Sequence, residues 1–269
     1  METTQVKKFS GSASMQGDLW GDRIRDWADI QEGHSRPLFD DVLRASQVHP
    51  GIEHLDVGCG AGLAAYLSVQ KGANVWGIDA AAGLVAIAKD RIPGGDFRVG
   101  EMEDLPYDDR SFDVVTGFNS FQYAADPVHA LQEARRVSRP GATVVVATWG
   151  NPGDCEAAAY IQALGTLIPS PPPGTPGPFA LSEEGQLAEF AAKAGLTPVR
   201  VKDVECPWTY SDLGTALRGL ISAGPAVKAV RNSGEALVRE ALVQVLAPYR
   251  NASGVYRMEN RFRYLIARA

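Results

Sequence analysis

The chain has 269 residues, 45% hydrophobic and 22% charged, the profile of a globular protein with a sizeable core, which excludes disorder, collagen and coiled coil. Its net charge of −6 and the lack of any basic cluster speak against a nucleic-acid partner. Cys59, Cys155 and Cys206 stand apart without a CxxC pair, no metal site is expected, and no apolar leader or membrane-length run appears, so a soluble cytoplasmic protein is expected.

In chain order, Trp20, Ile24, Trp27 and Gln31 recur at i, i+4, i+7 and i+11, which predicts one helix over about 19–32 with both tryptophans on one face. A second helix over about 37–46 follows. From 52 to 148, short β-branched runs alternate with Ala/Leu-rich ones, the pattern of a parallel sheet with crossover helices. Strands are predicted at 52–57, 74–78, 96–99, 113–118 and 143–148, and helices at 63–71, 81–91 and 127–139. Gly51, Gly72, Pro93-Gly94-Gly95 and Pro140-Gly141 punctuate the joins. The run PSPPPGTPGP at 169–178 reads as a stiff loop. Ser182 offers an N-cap to a helix with Leu187, Phe190, Ala191 and Ala194 as its apolar stripe, ending at Gly195. Val199, Val201 and Val204 suggest a sixth strand and residues 262–266 a seventh. Between them, stripes at Leu213, Leu217 and Leu220 and at Leu237, Val238, Ala241, Leu242 and Val245 mark helices that would form a lid or pocket wall.

The strongest chemical signal is His54-Leu55-Asp56-Val57-Gly58-Cys59-Gly60-Ala61-Gly62, a strand ending in an acid and turning through Gly-x-Gly-x-Gly into a helix. Missing side chains let a ligand approach that backbone closely. Gly60-Ala61-Gly62-Leu63-Ala64-Ala65 also satisfies Gly-x-Gly-x-x-Ala, the dinucleotide fingerprint. Asp56, however, would repel a pyrophosphate, and suits the ammonium and sulfonium of S-adenosyl-L-methionine (SAM). Asp79, with Ala80 beside it, ends the second strand about 20 positions on, where a carboxylate can accept hydrogen bonds from both ribose hydroxyls of either cofactor. Beyond the third strand, Gly100-Glu101-Met102-Glu103-Asp104-Leu105-Pro106-Tyr107 leads to Phe112-Asp113-Val114-Val115.

With these segments in this order, the stretch from about 50 to 149 resembles the class I SAM-dependent methyltransferases, particularly the small-molecule branch that includes ubiquinone and menaquinone enzymes. The resemblance implies a Rossmann-like, seven-stranded, mostly parallel sheet with an antiparallel last strand and helices on both faces. It implies that the Glu101 carboxylate meets the adenine amino group, that Met102 packs on the ring, and that Leu84 covers its other face. Phe118 and Asn119 stand where the family brings a backbone carbonyl to the SAM ammonium, and Asp56, Gly58, Cys59, Gly60, Gly62, Asp79, Ala80 and Glu103 complete the cofactor set.

Cation–π attraction could hold a sulfonium, so Trp20 and Trp27 are candidate cofactor residues, with Arg23 in reach of the cofactor carboxylate and Gln31 on the same face. The competing reading is that this stripe only staples the helix to the sheet. His34 and Tyr123 are the candidates for a general base. Asn119-Ser120-Phe121-Gln122 stands where base-flipping enzymes often carry an Asn-Pro-Pro-Tyr-type sequence, which again points away from nucleic acid. Trp149, Phe179, Trp208 and Tyr210 are candidate walls of an apolar pocket. The expected organisation is a helical lid over 1–49 and a methyltransferase domain over 50–269, with insertions at about 151–181 and 208–256 forming a substrate cap. The expected function is methyl transfer to a small hydrophobic acceptor, at oxygen first, then carbon or nitrogen, by a protein without membrane insertion and compatible with a homodimer. Two alternatives stay open: a SAM-fold enzyme with a different reaction, and a non-catalytic SAM-binding partner protein.

Overall fold

A computed structural model describes residues 11–170 and 177–269. Strands β1 (Glu53–Val57), β2 (Asn74–Asp79), β3 (Asp96–Val99), β4 (Phe112–Phe118), β5 (Ser138–Trp149), β6 (Thr197–Glu205) and β9 (Arg261–Arg268) form a seven-stranded sheet in the order β3-β2-β1-β4-β5-β9-β6. Pairing is parallel from β3 to β5, whereas β9 runs antiparallel between β5 and β6. The expected Rossmann-like sheet with its antiparallel last strand is therefore what the chain adopts. A separate two-stranded sheet pairs β7 (Trp208–Tyr210) with β8 (Tyr256–Met258), two short strands the sequence did not disclose.

Parallel strands covered on both faces read as continuous apolar runs, and β1, β4 and β5 are buried along most of their length. Helices α3 (Arg36–Ala45), α4 (Leu63–Val69) and α5 (Ala82–Arg91) cover one face through Leu43, Leu67 and Val85. Helices α6 (Pro127–Val137) and α8 (Gln186–Lys193) cover the other through Leu131 and Phe190. Helices α7 (Ala157–Thr166), α9 (Leu213–Ile221), α10 (Gly224–Ser233) and α11 (Glu235–Leu246) enclose a further core beyond β5 and β9. Because β1 has β2 on one side and β4 on the other, the sheet reverses its order there, and a crevice opens beyond the carboxyl ends of these strands.

Three local expectations are corrected. The helix over 19–32 is broken into α1 (Ala13–Trp20), a single turn α2 (Ile24–Asp26), a π turn (Trp27–Gln31) and a 3-10 turn (Glu32–Ser35). Gly21, a poor helix former, ends α1. The apolar face survives the break: Trp20, Ile24 and Trp27 all pack against Ala61, Ala81, Leu84 and Ile87. Ser182 is not an N-cap, because its hydroxyl donates to Trp149 O at 2.9 Å and α8 starts at Gln186 after a left-handed Gly185. Pro140-Gly141 does not precede β5 but lies within it, Gly141 taking a positive φ of 76°. Part of the proline-rich segment and the first ten residues of the expected lid lie outside the described residues. No described helix is long and apolar enough to cross a membrane.

Candidate cofactor and acceptor site

The chain leaves β1 at Val57 and turns through Gly58, Cys59 and Gly60 into α4, with positive φ at Gly58 and Gly60. Gly58 has φ of 75°, and a Cβ there would overlap the Cβ of Ser120, whose hydroxyl donates to Val57 O at 2.7 Å. Gly58→Ala therefore adds a clash to a strained backbone, costs about 2–3 kcal/mol, and should lower Tm by roughly 5–10 °C in a thermal melt.

A cavity of about 350 Å³ opens above this loop. Of the residues singled out in the sequence, Trp20, Trp27, Gln31, Gly58, Gly60, Asp79, Ala80, Leu84, Met102, Phe118, Asn119 and Tyr123 line it. A recess of about 20 Å³ shares Gly58, Asp79, Ala80 and Met102 with it and is lined also by Glu101, Ser12 and Ala13. The remaining candidates lie elsewhere. Cys59 turns its side chain into the core beneath Gly77 and Phe97, and Gly62 packs α4 against Ala88 of α5. The Glu103 carboxylate accepts from the backbone N–H groups of Ser12, Ala125 and Asp126, bracing the entry to α6. Arg23 is held by Glu235 of α11 at 2.7 Å, outside the lining of both spaces. His34 is likewise outside, its two ring nitrogens meeting the carbonyls of Gln31 and Thr209 at 3.3 and 3.0 Å, and burial lowers its pKa. Trp149 and Trp208 do line the cavity, whereas Phe179 packs on Trp149 and Tyr210 donates its hydroxyl to Gln31 Oε1 at 2.8 Å.

Around the loop the structure collects carboxylates. Asp79 Oδ2 accepts from Gly60 N at 2.9 Å and Oδ1 from Ala81 N at 2.8 Å. Asp56 is buried beneath the loop, with Thr116 Oγ1 donating to its Oδ1 at 2.8 Å. Glu32, which the sequence reading did not single out, accepts from Leu63 N at 3.2 Å and from Arg91 Nη1 at 2.7 Å. The only signal for it was an acid adjoining the Gln31 stripe. Burial raises the pKa of all three, Asp56 to about 7, with Glu32 and Asp79 adding repulsion there and Thr116 opposing it. Among the described residues the buried Trp27 Nε1 has no partner, and a Cβ built on Gly60 would lie 3.4 Å from it. A buried acidic cluster beside an unpaired indole N–H disfavours a pyrophosphate and fits a ligand carrying cations and a carboxylate, the amino-acid end of SAM. At the other end, Glu101 Oε2 accepts from Ala13 N at 2.7 Å, so the start of α1 sits against the acid expected at the adenine.

Comparison with known proteins agrees with this geometry. The family described as "Methyltransferase domain" matches residues 55–146. The chain is 31% identical to a ubiquinone biosynthesis O-methyltransferase of Cereibacter sphaeroides, over 65% of this chain and 74% of that enzyme. It belongs to the class I SAM-dependent methyltransferases. The ubiquinone relative places the chain in the quinone-methyltransferase-like branch, and the demethylmenaquinone methyltransferase of Renibacterium salmoninarum is 36% identical over 46% of the chain and 52% of that enzyme. For this and a second curated relative, a match covers only about half of the enzyme's length, 52% and 48%. The Bacillus halodurans protein BH2331 shares the fold at a TM-score of 0.57 and 15% identity, over 86% of this chain and 97% of that one. The cofactor of this methyltransferase is SAM.

Proposed function

We propose that the protein transfers a methyl group from SAM to a small, largely hydrophobic acceptor, oxygen being the first choice of nucleophile and carbon or nitrogen the next. The observation that carries this reading is the apolar continuation of the cavity away from the glycine loop, through Leu38, Phe39, Phe118, Trp149, Ile161, Leu164, Trp208, Leu220 and Phe262. The names of the quinone-biosynthesis relatives support an acceptor of that kind. In this reading residues 11–49 are the described part of the lid, and the described parts of the 151–181 and 208–256 segments, which supply Leu164, Trp208 and Leu220, are the acceptor cap.

Bound SAM supplies an activated methyl on a sulfonium. Asp79 accepts from the ribose hydroxyls, Leu84 and Met102 flank the adenine, and Glu101 receives its amino group. The Asp56, Asp79 and Glu32 carboxylates offset the ligand's positive charge, and the rings of Trp20 and Trp27 face it. Arg23, His34 and Glu103 act at one remove, as their positions outside the cavity dictate. Of the two candidate bases, Tyr123 faces the acceptor, and burial pushes its pKa up to about 12. At neutral pH it keeps its proton and orients the acceptor by hydrogen bonding, leaving the rate to alignment in a water-poor cavity.

Trp27 Nε1 is assigned to the carboxylate of the methionine moiety. Trp27→Phe should then weaken SAM about tenfold with Tm unchanged, while 5′-methylthioadenosine, which lacks that carboxylate, binds both proteins alike. The reading as a whole is tested by calorimetry with SAM, S-adenosylhomocysteine and NAD, followed by incubation with phenols and hydroxyquinones. Micromolar binding of the first two and a methylated product beside S-adenosylhomocysteine are expected. Binding of NAD alone, or substrate conversion without S-adenosylhomocysteine, would overturn it.

A further inference from the structure

A line of polar side chains runs beneath the glycine loop where the fold would ordinarily place apolar ones. Ser68 Oγ lies 2.8 Å from His54 Nδ1, His54 Nε2 lies 2.9 Å from Thr116 Oγ1, and Thr116 Oγ1 lies 2.8 Å from Asp56 Oδ1. All four residues are buried, at 2% exposure or less, and they join α4, β1 and β4 across the inside of the fold. Groups so deep must be hydrogen-bonded in either ionisation state of Asp56, or one of them is left unpaired at a cost.

Hydrogen counting shows how Asp56, Thr116 and His54 stay paired in both states, with Ser68 serving as donor in one and acceptor in the other. A threonine hydroxyl has one hydrogen and imidazole can donate at one nitrogen while accepting at the other. With Asp56 ionised, Thr116 donates to it, His54 donates from Nε2 to Thr116, and Ser68 donates to His54 Nδ1. With Asp56 protonated, every donor reverses: Asp56 donates to Thr116, Thr116 to His54 Nε2, and His54 from Nδ1 to Ser68. His54 is neutral in both arrangements, having only changed tautomer. Four hydrogens occupy the line in the protonated state and three in the ionised one, so one proton leaves to solvent.

We propose that Ser68, His54 and Thr116 form a reversible hydrogen-bond relay that lets Asp56 release its proton when a cationic ligand reaches the glycine loop. His54 and Thr116 are thereby positioning residues for SAM, an assignment that rests on the methyltransferase reading above. The charged and titratable groups facing Asp56 are Glu32 of the 3-10 turn, with Arg91 of α5 bound to it, Asp79 of β2 and the Cys59 thiol. The two carboxylates disfavour a third negative charge without ligand, and a bound cation removes that objection. Burial brings Asp56 near neutrality and holds the His54 pKa down at about 4, in keeping with a neutral imidazole in both arrangements.

The test is nitrogen NMR of the full chain labelled at histidine, from about pH 5.5 to 8.5, with and without SAM. The expected result is the His54 proton on Nδ1 in the free protein at low pH and on Nε2 when SAM saturates it. One unchanging tautomer, or an imidazolium, overturns the relay. Calorimetry in buffers of different ionisation heat adds a second readout. The unaltered chain should release a proton on binding near pH 7, Thr116→Val should move the pH midpoint of affinity up by about one unit and weaken binding roughly tenfold there, and Thr116→Ser should restore both. If SAM fails to bind the unaltered chain at any pH, the methyltransferase reading fails. If it binds with no tautomer change and no proton release, the relay alone fails.

Discussion

Asp79→Ala weakens SAM binding by about 1.5–3 kcal/mol, a loss of roughly 10- to 150-fold, when measured by calorimetry near neutral pH. Its carboxylate accepts from Gly60 N at 2.9 Å and Ala81 N at 2.8 Å, which fixes both oxygens at the mouth of the loop. Lone pairs that these two N–H groups leave open are the ones available to ribose hydroxyls. The variant also frees the two backbone donors, so some thermal stability goes with the affinity. Asp79→Asn separates the effects: its amide keeps one acceptor oxygen but turns the other position into a donor. Ribose binding should fall nearly as far, with a smaller loss of Tm. Unchanged affinity in both variants would remove Asp79 from the ribose site.

Asp56→Asn is expected to do the opposite to stability. Burial, reinforced by Glu32 and Asp79, raises the Asp56 pKa from 3.8 to about 7, so between those values the folded chain holds a proton the unfolded chain has lost. Stability from this group is therefore drained as pH rises from about 4 to 7, and the deficit stays constant above that. Asparagine fills the same volume, accepts from Thr116 and carries no charge to desolvate. At about pH 8 the variant should be more stable by a few kcal/mol, raising Tm by roughly 5–10 °C, and near pH 4 the two proteins should melt alike. His54 runs in the other sense. Its pKa is lowered by burial from 6.5 to about 4, so its contribution is present above 6.5 and lost as pH falls toward 4. Between those limits the contributions of the two groups oppose each other, so the Tm of Asp56→Asn should climb relative to that of the unaltered protein as pH rises. The same substitution removes the negative charge beneath the loop and should weaken SAM at least tenfold. A variant that is less stable at pH 8, or binds SAM as before, would contradict this account.

The parts of the molecule legible in the sequence are those in which local chemistry and position coincide. The glycine loop, Asp79 and the strands at 74–78, 96–99 and 113–118 follow from short-range pattern, and the structure extends two of them by one residue, to 74–79 and 112–118, within one sheet. The N-terminal stripe was half legible. A helical period finds the shared face of Trp20, Ile24 and Trp27, but it does not register that one glycine suffices to break the rod and that π and 3-10 turns can keep the same face toward α5. Arg23 looked free because its partner, Glu235, is 212 residues away. His34 looked like a base because a sequence gives no account of the carbonyl of Thr209 arriving at its ring. Helix α7, which brings Tyr160, Ile161 and Leu164 to the cavity, carries little amphipathic signal because it is apolar on most sides. Glu32 is the same kind of omission: a single acid in a turn acquires its meaning only when Leu63 and Arg91 fold against it.

The position of β9 sets an order of assembly. Strand β6 touches the sheet only through β9, and β9 lies between β5 and β6, so residues 197–205 have no place to dock until residues 261–268 exist and have paired with β5. Phe262 is on that strand, stacked on Trp149 at 4.6 Å between ring centroids. The glycine loop and its neighbours are complete with β1 to β4, all within residues 53–118, and their widest pairing, His54 with Val114, spans 60 residues, against 113 between Trp149 and Phe262 in β5 and β9. A chain emerging from the ribosome can therefore shape its glycine loop early, while the cavity wall that carries Phe262 closes only with a late pairing of longer range, the kind that is slow to form.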